Sequence, residues 1–207
     1  MGHNGRALAG LLIALLMGLA GCGDGNPATP TSQATAVQPS PTATSAVPTK
    51  PTGIEPPQKP AAMSTPDEDG AVAAAEYFLR MTTYAAATGD TTELEAMSGP
   101  DCQFCESYLE SVTNMYSPEK GNAWATMPEI TIEYSTVRPT EEKHQFQVEM
   151  RTQKGEFDYY NELNGLQHGD EETLVMAVVA THVSDNTWRV EVVQDFPEDT
   201  KIPGEDS

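Results

Sequence analysis

Beyond residue 66 the apolar positions of this chain recur with two different periods, one after the other. Ala71, Ala74, Ala75, Phe78, Met81 and Ala85 return every three or four residues, the spacing that places side chains on one face of a helix. Thr65-Pro66-Asp67-Glu68 supplies a start, with a capping residue, a proline at the first helical position and a Glu three residues after the Thr. Thr88-Gly89-Asp90 supplies the stop. Asp90 and Glu93 repeat the capping pattern for a short second helix from Thr91 to Met97, ended by Ser98-Gly99-Pro100. A third helix opens at Asp101, with Cys102, Cys105, Tyr108 or Leu109, Val112 and Met115 at helical spacing.

After Gly121 the period falls to two. Ile130, Ile132 and Tyr134 alternate with Thr131, Glu133 and Ser135, and Phe146, Val148 and Met150 alternate with Gln147, Glu149 and Arg151. Two more strands run from Thr173 to Val183 and from Thr187 to Phe196, joined by the turn-forming Ser184-Asp185-Asn186 as an antiparallel hairpin. The first of this pair, LVMAVVATHV, is apolar on both faces and is expected at the centre of the sheet, whereas the second alternates Trp188, Val190 and Val192 with Arg189 and Glu191. The expected fold is therefore α+β, three N-terminal helices packed on a curved four-stranded antiparallel sheet.

The first third of the chain has neither period. Arg6 precedes an apolar run from Ala7 to Leu19 that ends in Leu19-Ala20-Gly21-Cys22. Crossing a bilayer takes roughly 20 apolar residues, so a run this short reads as a signal peptide over residues 1–21. The Leu-Ala-Gly-Cys ending resembles a bacterial lipobox, which implies cleavage before Cys22 and lipidation of its sulfur. From residue 23 to Pro66 the chain is Pro, Thr, Ser, Ala and Gln, with 10 of the 16 prolines and almost no large apolar side chain. Such a stretch buries too little surface to offset its ordering entropy, so residues 22–66 are expected to be a lipidated cysteine and a disordered tether. Residues 67–197 form the single domain, and 198–207 an acidic, frayed tail. The expected location is the outer face of the cell membrane.

Charge narrows the partners. From residue 67 onward there are 29 acidic and 8 basic residues, a balance of −21. That surface repels phosphate backbones, which excludes nucleic-acid binding. The acidity reads as solubility and spacing from an anionic membrane, with a cationic partner or loosely held divalent cations as the alternative. An envelope protein is the expected partner, with no oligomeric state specified.

Cys22 taken as the anchor leaves Cys102 and Cys105, which an oxidising compartment would join as a disulfide bracing the start of the third helix. The same Cys-x-x-Cys at a helix start is where a thioredoxin-like protein holds its thiolate, but that motif follows a strand, and this one follows two helices and a Gly-Pro turn. Zinc would need two further ligands, and His144, His168 and His182 form no second pair at finger spacing, so no metal and no cofactor is expected. His182 shares a strand with Leu174, Met176, Val178 and Ala180, which makes it either a core or rim histidine or a general base. Asp158, Tyr159 and Tyr160 are expected in a loop at the rim. No phosphate loop, nucleophile elbow or dinucleotide fingerprint occurs.

Three helices ahead of a sheet, with AVAAAEYFLRMTTYAAATGDTTELEAMSGPDC as the opening stretch, resemble the nuclear-transport-factor-2-like or SnoaL-like conical fold. The lipobox, the Pro/Thr linker, Gly70-Ala71 and Ser98-Gly99-Pro100-Asp101-Cys102-Gln103-Phe104-Cys105 resemble more narrowly the lipoproteins of domain of unknown function 6318, from high-GC Gram-positive bacteria. The resemblance spans about residues 60–196. It implies a sheet wrapped round the helices as a cone, whose mouth would be lined by His182, Tyr134 and Trp188 if it held a ligand. A cone filled by Phe78 and Trp188 would instead point to a non-catalytic binding or interaction module, the expected function.

Overall fold

The computed structural model describes residues 49–120 and 122–205. Cys22 and most of the expected tether, like the signal segment, lie outside them. No helix among the described residues is long and apolar enough to cross a membrane.

Helix α1 spans Glu68–Thr88. Its cap is Asp67 instead of Thr65: the Asp67 carboxylate accepts from the Gly70 amide at 2.8 Å, and the Thr65 hydroxyl donates to that carboxylate at 3.0 Å. Gly89, at φ 82°, ends the helix in the left-handed conformation. Buried residues extend well beyond the expected apolar stripe to Tyr77, Leu79, Thr82 and Thr83. The cause is position, because α1 touches the main sheet as well as α2 (Thr92–Met97) and α3 (Gln103–Met115). The alanines make this crowding tolerable, and the Thr82 and Thr83 hydroxyls are satisfied by carbonyls three residues back, Leu79 and Arg80.

The strands form two antiparallel sheets. The larger contains β2 (Ile130–Pro139), β3 (Gln145–Lys154), β6 (Glu172–Ser184) and β7 (Thr187–Phe196), in the order β2-β3-β6-β7. The smaller contains β1 (Trp124–Ala125), β4 (Phe157–Asn161) and β5 (Gly165–Gly169), in the order β1-β4-β5. The four expected strands are the four of the larger sheet, and the strand apolar on both faces lies between two neighbours. The smaller sheet is an addition, and it corrects the placement of Asp158, Tyr159 and Tyr160, which lie on β4 and not in a loop. Phe157 to Tyr160 followed by Asn164-Gly165 is a strand-and-turn signal, weakened by the charged residues among the aromatics.

Two chain ends depart from expectation in the same way. Met63, in a 3-10 turn over Ala61–Ser64, is fully buried, and the Trp188 indole Nε1 donates to its carbonyl at 2.9 Å. Ile54 also packs against the core, and Lys59 pairs with Glu93. The structured unit therefore begins well before residue 67, because a few apolar residues in a proline-rich stretch suffice to fasten it. Residues 198–205 are not frayed either. Arg151 pairs with Glu205 and donates to the carbonyls of Glu198 at 2.8 Å and Thr200 at 2.9 Å, while Ile202 is buried. The segment lies on the outer face of the sheet, where Val175 and Ala177 are also buried.

Candidate functional site

The expected pocket residues do not converge. Trp188 is fully buried, as are Phe78, Met150, Val148, Val178 and Val190, so side chains fill the space around Trp188 between α1 and the larger sheet. A cavity of about 140 Å³ lies apart from it, lined by Thr83, Tyr108, Lys154 and Phe157 among others. Tyr134 faces the other way. A register shift between Ile132 and Tyr134 pairs Ile132 with Thr152, which is buried, but Tyr134 with Arg151 on the outer face. One extra residue in a strand turns every following side chain over, and alternation read from sequence has no sign of it. The Tyr134 hydroxyl instead donates to the Pro203 carbonyl at 3.0 Å.

His182 does lie beside Trp188, ring edge to ring face with centroids 5.2 Å apart, and its backbone amide donates to the His144 carbonyl at 2.9 Å. Its buried Nε2 has no hydrogen-bond partner among the described residues. The residue is half-buried, and its ring packs as an aromatic against Trp188.

Cys102 and Cys105 are joined by a disulfide, and the two residues are 3% and 1% exposed, too little for exchange with another thiol. Cys102 sits one residue later than the expected helix start, as the cap of α3, where its sulfur accepts from the Cys105 amide at 3.2 Å. The pair braces the turn that brings Gly99 onto β7, whose Val190 carbonyl accepts from the Gly99 amide at 2.8 Å. A Cβ at Gly99 would lie 2.7 Å from that oxygen, so the approach requires glycine.

A surface feature is better formed. Ser111, Asn114 and Met115 of α3, Ala123 just before β1, Tyr159 and Asn161 of β4, and Leu163 and Asn164 of the β4–β5 turn line a cleft of about 370 Å³. The Asn161 side-chain oxygen accepts from the amides of Leu163 at 3.0 Å and Asn164 at 2.8 Å, and Gly165 follows at φ 70°. Glu162 is held by the Asn122 side chain at 3.0 Å. This bonded turn leaves Leu163 92% exposed at the lip of the cleft.

On the same hairpin the His168 Nδ1 lies 3.0 Å from an Asp158 carboxylate oxygen. That hydrogen bond, aided by the charges of Glu156, Asp158 and Asp170, holds His168 above the ordinary imidazole value. Among the described residues no group of three or more His, Cys, Asp and Glu is arranged to hold a metal ion.

The model of a family described as "Family of unknown function (DUF6318)" matches residues 23–194. None of the curated proteins matches the sequence. Among solved structures, the intermembrane space region of chloroplast protein ARC6 is 11% identical, with a TM-score of 0.48, over 63% of this chain and 96% of that one. Aln2 from a Streptomyces species is 9% identical, with a TM-score of 0.40, over 63% of this chain and 92% of that one. A nuclear transport factor 2-like superfamily protein from Salmonella enterica serovar Typhimurium is 14% identical, with a TM-score of 0.41, over 66% of this chain and 98% of that one.

Proposed function

This chain belongs to the DUF6318 family, whose description assigns no activity, and from that premise we propose that it is a lipid-anchored envelope module that binds a protein partner through its surface. The observation that carries this reading is the filled interior around Trp188 and Phe78. A cone that binds or transforms a small molecule needs an open mouth, and here Trp188 and Phe78, both fully buried, occupy the space between sheet and helices. The buried disulfide at Cys102 and Cys105 supports a brace and not a redox centre. The anchor rests on Leu19-Ala20-Gly21-Cys22 directly after an apolar run too short to span a bilayer. The net charge of the domain suits display above an anionic surface, which repels it.

The test is photo-crosslinking in cells from several surface positions of the anchored protein, followed by mass analysis of the adducts. Adducts with one or a few proteins are the expected result. A small molecule that co-purifies in a one-to-one ratio and is lost on substituting Trp188 would sink the reading. The anchor has its own test. Cys22→Ala is expected to move the processed protein from the membrane fraction to the soluble fraction, and continued membrane partition would refute it.

A further inference from the structure

We infer that the cleft between α3 and the β4–β5 turn is the docking site for a basic polypeptide segment carrying one bulky apolar side chain between lysines or arginines. The inference rests on the binding-module reading and names its site and the chemistry of its partner.

Shape and charge support it separately. Leu163 is presented, not merely exposed: the amides of Leu163 and Asn164 are both tied to the Asn161 side chain, and Glu162 is tied to Asn122. A leucine held at 92% exposure beside an apolar wall of Met115, Ala123 and Tyr159 offers contact area without an ordering cost on binding. Asn114 and Asn164 add amide groups that suit the backbone of a bound chain.

The side chains that line the cleft are uncharged, and acids stand at its lips: Glu162 beside Leu163, and Glu110 one turn before Asn114. Of the acids from Gly155 to Glu172, Glu156 and Asp158 stand with His168 and Glu172 with Lys154, which leaves Glu162, Asp170 and Glu171. Helix α3 contains Glu106 and Glu110 and no Lys or Arg. These two fall one and two turns before Asn114, on the same stripe of the helix. Lys154 is bonded to Glu172 at 2.7 Å, and Lys50, over the Tyr116 ring at 4.4 Å next to Met115, keeps its charge. An apolar notch with acids at its lips suits an apolar side chain flanked by cations.

The experiment uses the purified full chain in detergent and a fluorescent peptide with one leucine between two pairs of lysines. Saturable binding that weakens with salt is expected, and replacing the peptide's leucine by alanine should weaken it about tenfold, as should Leu163→Ser in the protein. Glu110→Gln with Glu162→Gln should weaken binding several-fold more than Glu133→Gln with Glu198→Gln, which lie on the other side of the sheet. Equal effects of the two acidic pairs, or no effect of Leu163→Ser, would show bulk charge attraction alone and overturn the site. Binding that emerges only after deleting residues 23–48 would make the chain's own linker the occupant, and a dimer broken by Leu163→Ser would make it a second copy. Either result also overturns the proposal. If the peptide fails while in-cell crosslinks from other surfaces still capture a protein, the site falls and the module reading stands.

Discussion

Met63 and Trp188 lie far apart in the chain, yet one accepts the hydrogen bond of the other and both are fully buried. Met63→Ala would leave a cavity against the indole, so a loss of about 2–5 kcal/mol in denaturant unfolding is expected. A loss near zero would mean that the segment before α1 contributes nothing. Gly70 belongs to the same contact, since a Cβ there would lie 2.1 Å from the Thr65 carbonyl and 3.0 Å from the Trp188 ring. For the disulfide, a Cys102→Ser, Cys105→Ser double variant should lose about 2 kcal/mol, the entropy of closing so short a loop, and keep its partner binding. Turnover in a disulfide-exchange assay with an unchanged denaturation midpoint would reverse that assignment. His168 makes a third case. Its raised pKa comes first from the Asp158 hydrogen bond, so the contact is fully present below about 6.5, the value for a free imidazole, and is lost as pH rises through the higher folded value. Asp158→Asn should bring the His168 titration, followed by NMR, down towards that free value, and an unmoved midpoint would exclude the pair as the cause.

Helix and strand starts were readable where a local chemical signal sets them, and misread where the signal comes from elsewhere. Asp67 caps α1 because its carboxylate reaches Gly70, which the spacing of Thr65 and Glu68 did not distinguish. The four long strands followed from alternation, but β4 and β5 are short, rich in charge and exposed on much of their surface, so apolar periodicity is faint in them. The C-terminal segment is the clearest reversal, because nothing in an acidic tail announces the single arginine that holds it. Hydrogen bonding to Arg151 holds the Glu205 carboxyl below its ordinary value of 4.5. The contact is therefore complete above that value and is lost as pH falls through the lower folded one. Hydrogen exchange in residues 198–205 should accelerate in that acid range, relative to β3, and Arg151→Ala should show the same fast exchange already at neutral pH. Exchange equally slow in the variant would mean that burial of Ile202 alone fastens the segment.

The structured unit extends further towards the N terminus than its composition suggests. Ile54, Lys59 and Met63 all make contacts with the domain, so limited proteolysis of the full chain should leave a resistant fragment that begins before residue 54. A fragment beginning at 65–67 would restore the boundary that proline content alone implies. Much of the molecule could be read without coordinates: the α+β class, three helices ahead of the long strands, the hairpin of β6 and β7, and the linking of Cys102 to Cys105. Each of these depends on neighbours in sequence, through period, capping or turn chemistry, and short-range signals survive in a string of letters. The candidate site did not survive in the same way. His182, Tyr134 and Trp188 look alike as aromatic or imidazole side chains on strands, but a single register shift sends Tyr134 outward and close packing seals Trp188 inside. The cleft at Leu163 joins a helix to a hairpin through residues from Ser111 to Asn164, which no local pattern connects. Which faces meet, and which side chains are left over at the surface, depends on how the whole chain packs, because burial is a property of a residue's surroundings and not of its identity.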